Sequence, residues 1–182
     1  MTGRGREALV TRAIHPIDGV EARRRQWARE LPDLDTTGMA ILGRMRWLTL
    51  AARPRIEAVF AGHGLDAGEF DVLGTLLRAG PPYQLRPTEL FRSLMISSGG
   101  LTDRLTRLAA AGLVARTPSP QDARSLLVQL TDEGQRRAEA AFREDMAVER
   151  ELLAGLTDQD RDALSALLSK LALQFEAADS SR

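Results

Sequence analysis

Between Arg86 and Gly134 the chain runs RPTELFRSLMISSGGLTDRLTRLAAAGLVARTPSPQDARSLLVQLTDEG, which reads as a helix, a turn, a second helix and a β-hairpin. Pro87 stands at the first helical position, where a missing N–H costs nothing. The second helix is expected from about Ser97 to Ala111. It stops at Gly112, a residue suited to the left-handed conformation that closes a helix. Val114 to Thr117 and Ser125 to Leu130 are β-rich, and the PSPQDA segment between them forms turns, so it is the expected wing tip. This order predicts a winged helix-turn-helix, a module that places one helix in the major groove of double-stranded DNA.

Periodicity assigns the faces of the second helix. Leu101, Leu105 and Leu108 mark its buried stripe. Gly99, Asp103, Thr106, Arg107 and Ala110 fall opposite, giving a small, polar face that a duplex can approach closely. Ser98 and Thr102 offer hydroxyls to phosphates or base edges. Arg107 has the reach and fork geometry to address a guanine, although Asp103 beside it could hold it in an ordinary surface ion pair. In the wing, Arg116 lies on the first strand and Arg124 at the end of the turn, two residues after Asp122. An arginine there can enter a narrow minor groove, where the potential is most negative. A wing-tip salt bridge to Asp122 is the structural alternative.

The remaining chain reads as helical, making the fold class mainly α (α+β). Residues 1–19 are expected to be mobile, and residues 20–182 to form a single domain. A short basic helix is expected over Val20–Leu31, and a long one from Thr37 to about His63, interrupted or bent near Pro54. Asp66 with Glu69 forms a capping box for the next helix. Thr131 caps a helix running to about Leu153, and Thr157 with Asp160 starts the last. The winged module thus occupies about residues 66–131. Helices over about 20–63 and 132–178 flank it as a dimerisation region. The stripe of Leu164, Leu167, Leu168, Leu171 and Phe175 suits a core shared between two subunits.

Charge is distributed unevenly within a formal net charge of zero. Residues 84–130 carry six arginines against three acids, whereas residues 132–182 carry seven bases against twelve acids. A basic groove-facing module beside an acidic remainder fits a local duplex contact. The chain has no cysteine, which excludes disulfides, thiolate metal ligands and a thiol oxidation switch. His15 and His63 match no metal-ligand spacing and read as surface or capping residues. No Ser-His-Asp set, phosphate-cradling glycine loop or metal cluster points to an enzyme, and no cofactor is implied. No apolar run approaches bilayer length and the N-terminus lacks a signal-peptide core, so a cytoplasmic protein without membrane association is expected.

The segments PTEL, SSGGLTDRLTRLAAAGLV, DARS and LTDEG, in this order and spacing, resemble the MarR family of dimeric transcription regulators, over about residues 37–175. The resemblance implies a homodimer that binds double-stranded DNA at an inverted repeat, with Arg124 of the D-x-R motif in the minor groove. EARRRQWARELPDLDTTGMAILGRMRWL and LDAGEFDVLGTLLRAGPPYQLRPTELF are similar to the branch that responds to urate and related anions. In that branch a tryptophan of an N-terminal helix, an aspartate and an arginine of the helix before the winged module, and an arginine of the recognition helix form a ligand site. The matching positions are Trp27, Asp71, Arg78 and Arg104. The implied ligand is a small anion, urate or a tricarboxylate such as trans-aconitate, that releases a repressor from its operator.

The residues themselves are compatible with such a site. Asp71 and Arg78 are seven apart and lie almost on one line of a helix, at the flank of the stripe made by Phe70, Leu73 and Leu77. Arg104 falls beside the leucine stripe of its own helix and should face the protein body, within reach of Asp71. Two alternatives stand: Trp27 as a packing residue, and Asp71 with Arg104 as a structural ion pair. A constitutive winged helix that binds DNA or a partner without a ligand switch would need none of the four.

Overall fold

The computed structural model describes residues 17–94, 100–119 and 122–179, with backbone only for 119, 122–125 and 179. The mobility expected of residues 1–19 therefore falls largely outside the described residues, as does His15. The chain divides into two compact units, residues 1–51 and 52–182.

In the first unit, helix α1 spans Gly19–Glu30 and is capped by Asp18, whose Oδ1 accepts from the Val20 and Glu21 amides at 2.8 and 2.9 Å. The other oxygen, Oδ2, accepts from Arg44 Nε at 2.8 Å. The Glu21 amide and then Arg44 hold the Asp18 carboxyl below its ordinary value. One aspartate thus starts α1 and fixes it to the beginning of α2, Arg44–Gly62. A π-helical turn, Met39–Gly43, leads into α2. Of the interruption or bend expected near Pro54, the interruption does not occur: α2 continues through it. Proline frees the carbonyl four residues earlier, that of Leu50, and Leu50 is exposed, so water can take over that acceptor.

The second unit is built around α3, Ala67–Arg78, which packs against α4 (Pro87–Ser93), α5 (Leu101–Ala110), α6 (Asp132–Leu152) and strand β3 (Asp122–Leu130). Val72, Leu73 and Leu76 of α3 are completely buried, and Phe70 and Leu77 partly so. The buried face is therefore wider than the stripe read from the sequence, as befits a helix covered on several sides. The reciprocal Asp66–Glu69 capping box is present.

The hairpin extends further than the sequence suggests. β2 spans Val114–Ser119 and pairs antiparallel with β3, Arg116 opposite Val128, with an irregularity at Pro118/Ser119. A short strand, β1 (Gln84–Leu85), adds to the other edge of β3, giving the order β1-β3-β2. Gly112, with φ of 69°, closes α5 as expected. The amide of Leu113 donates to Leu108 O at 2.9 Å and that of Gly112 to Ala109 O at 3.0 Å, the paired bonds of a Schellman ending. Thr131 then caps α6 through Gly134 N and bonds Gly112 O through its hydroxyl at 2.8 Å, tying the end of α5 to the start of α6. The last helix, α7, spans Asp158–Asp179.

Candidate nucleic-acid interface

The orientation of α5 follows from its leucines. Leu101, Leu105 and Leu108 are 9%, 4% and 1% exposed, and they turn Thr102, Asp103, Thr106 and Arg107 to the outside. Gly100 precedes the helix at φ 73°, a conformation that disfavours any side chain. The start expected at Ser97 lies outside the described residues, as do Ser98 and Gly99; described α5 begins at Leu101. Thr102 shares an open cleft with Pro87, Thr88, Phe91 and Arg92 of α4. Thr88 and Arg92, one turn apart on α4, are polar groups beside α5 that the sequence reading omitted; their i, i+4 spacing was the available signal. On the wing, Arg116 is exposed. The backbone of Arg124 belongs to β3, but its side chain and any salt bridge to Asp122 fall outside the described ones.

Arg107 has different partners from the Asp103 expected as its surface alternative. Its Nε donates to Glu69 Oε1 at 2.7 Å and its Nη2 to Asp66 Oδ2 at 2.9 Å, so it reaches back to the cap of α3. The Glu69 bond, and secondarily the Asp66 charge, raise the affinity of the guanidinium for its proton. Helical periodicity places a residue on a face but says nothing about which neighbouring element meets its side chain.

The residues expected to form a ligand site are arranged about α3. Asp71 is 9% exposed. Arg78, at the exposed end of the helix, donates from Nη2 to Thr75 Oγ1 at 2.9 Å and to Ser93 O, at the end of α4, at 3.4 Å. Arg104 of α5 is partly buried and lies on Gly68: a Cβ there would collide with Nε and come within 2.6 Å of Cζ. Gly68 is a position that the sequence reading passed over, since the side chain that fills the space beside it comes from another helix. Trp27 is on α1, in the other unit, and is 48% exposed.

The model of the MarR family matches residues 63–125. The HTH-type transcriptional regulator PecS of Dickeya dadantii is 37% identical over 147 residues, covering 81% of this chain and 89% of PecS. This protein belongs to the MarR family.

The multiple antibiotic resistance protein MarR of Salmonella typhimurium is 31% identical over 132 residues, 71% of this chain and 90% of that protein. A mutant of Escherichia coli MarR complexed with operator DNA matches with a TM-score of 0.63 and 29% identity, over 76% of this chain and 99% of that one. As a MarR-family member the protein is a DNA-binding transcription regulator, and the proteins it resembles are regulators and not enzymes. In this MarR-family fold α4 and α5 are the helix-turn-helix, with α5 the recognition helix, and β2 and β3 are the wing. His63 makes a side-chain contact to Glu144, Nε2 to Oε2 at 2.9 Å. Among the described residues there is no cluster of metal-binding side chains and no helix long and apolar enough to cross a membrane.

Proposed function

We propose that this protein is a cytoplasmic repressor, with residues 20–182 acting as one regulatory domain, that binds an operator as a homodimer and is released by a small anion such as urate or a tricarboxylate. The inverted repeat would have half-sites about one helical turn, roughly 10 base pairs, apart. Ser98, Gly99, Thr102 and Asp103 would face the major groove, and Arg116 and Arg124 the flanking backbone and minor groove. A homodimer is supported by large apolar side chains exposed in the single chain, Trp47 (57%) on α2 and Leu167 (67%) and Phe175 (61%) on α7. Large exposed apolar patches commonly mark an interface with another protein chain.

The observation that carries the ligand reading is the placement of two arginines against α3, Arg78 from that helix and Arg104 from α5. Arg78 connects α3 to the end of α4, and Arg104 rests α5 on Gly68. An anion drawn to these guanidinium groups, with Asp71 buried on α3, changes the contacts that hold both helices of the helix-turn-helix. Chemistry at the site then becomes a change in helix angle.

The experiment is release of operator DNA by urate and by trans-aconitate, for wild type and Arg78→Ala, at fixed pH and salt. A charge-assisted hydrogen bond is worth about 1.5–3 kcal/mol, so Arg78→Ala should bind operator nearly normally yet need roughly ten- to a hundredfold more ligand. If neither anion releases wild type, the ligand assignment fails. A mutant that responds like wild type would move the pocket elsewhere and favour a constitutive regulator. In parallel, Arg124→Ala should weaken operator binding and make the salt slope shallower by about 0.9; an unchanged slope would remove Arg124 from the duplex.

A further inference from the structure

We infer that Arg107 serves operator binding as a positioning residue, locking the recognition helix to the N-terminal cap of α3, and does not itself read a base. Four hydrogen bonds close a ring. Asp66 Oδ1 accepts the Glu69 amide at 2.7 Å, and Glu69 Oε2 accepts the Asp66 amide at 2.9 Å. The second oxygen of each carboxylate takes one prong of Arg107, Glu69 at 2.7 Å and Asp66 at 2.9 Å. Each carboxylate thus uses both oxygens, one for capping and one for the guanidinium. To reach a base, Arg107 would have to break two charge-assisted bonds and leave the Glu69 side chain, only 12% exposed, without its cation.

The leucines of α5 hold it to the core, but hydrophobic adhesion is non-directional and tolerates rotation or sliding of a helix. A forked guanidinium on two fixed carboxylates is directional. Arg104, one turn earlier on α5, lies on Gly68 in that same first turn of α3. Two arginines at i and i+3 therefore seat the recognition helix on residues 66–69 and set its rotation and tilt. This inference uses only the DNA-binding role of the family and stands whether or not an anion regulates the protein.

The test uses Arg107→Gln, Glu69→Gln and the double variant in the full-length protein. Glutamine at 69 can still accept the Asp66 amide, so the cap of α3 survives while the charge on Arg107's partner is removed. Affinity for operator and for a set of single-base operator variants is measured across salt, with thermal unfolding alongside. Each single variant should weaken binding about three- to tenfold. The loss should be the same for every operator variant, with an unchanged salt slope, and the double variant should be no worse than the weaker single. The inference is overturned by relaxed preference at one base position, or by a salt slope reduced by about 0.9, either of which puts Arg107 on the duplex. It is equally overturned if Glu69→Gln tightens binding, since the carboxylates would then be competing with DNA for the arginine. Unchanged affinity in both single variants, or losses that follow the fall in thermal stability alone, would also refute it. Glu69→Gln leaves α5 unaltered, so its result decides the matter if Arg107→Gln does not fold.

Discussion

Replacing Gly68 by alanine should separate the stability of this protein from its regulation. A methyl group at 68 would clash with Arg104 Nε and lie 2.6 Å from Cζ, so one of the two must move. The obstacle is the far end of a long side chain, and Arg104 is only partly buried, so the guanidinium can swing into water. Alanine in a helix gains about 0.8–1.0 kcal/mol over glycine. Against this stands the loss of the contacts of a charged group, about 1.5–3 kcal/mol when fully desolvated and less where water replaces them. The two terms nearly offset, and the variant should be destabilised by about 1 kcal/mol or less. Operator binding should respond much more, because the displaced arginine seats the recognition helix, and the anion required for release should shift about tenfold. Urea denaturation gives the first quantity, and operator titration with and without urate or trans-aconitate gives the second. Stability raised by about 1 kcal/mol with wild-type binding and release would show that the guanidinium position is idle. A loss above about 3 kcal/mol would show that Arg104 cannot leave.

Two further substitutions test the surroundings of this site. A Cβ on Gly134 would run into the carbonyl oxygen of Leu113 and sit 2.9 Å from its carbon, both backbone atoms. Gly134→Ala must therefore push α6 away from the end of the recognition helix, and should cost about 3 kcal/mol in urea denaturation; a change below about 0.5 kcal/mol would mean that this junction is soft. Burial, helped by the charge of Glu149, pushes the Asp145 carboxyl up to about 6 from 3.8, and among the described residues its Oδ1 has no hydrogen-bond partner. The folded chain then holds this proton more tightly than the unfolded one. Stability from this group is greatest below the unfolded value near 3.8, falls as pH rises, and carries the full penalty above about 6. Asp145→Asn should flatten that window and raise stability near neutral pH by about 1 kcal/mol, and an unaltered profile across the window would assign the slope to other carboxylates.

What the sequence determines by itself is whatever depends on near neighbours along the chain. The leucine spacing fixes which side of α5 is buried, Pro87, Gly112 and Thr131 mark where helices begin or end, and Asp66 with Glu69 announces a cap, because each of these is a contact within a turn or two of backbone. The succession of such signals is enough for the winged module. The tertiary structure decides where long side chains go and which backbone gaps are filled. Arg107 reaches Asp66, 41 residues earlier, and not Asp103 on its own helix. The glycine at 68 leaves room for an arginine from another helix. The strand Gln84–Leu85 exists only because β3, more than 40 residues later, offers it an edge. An arginine can turn its charged end through several ångströms at little cost, so its local sequence leaves the choice of partner open. That choice is made only when helices distant in sequence are brought together around α3.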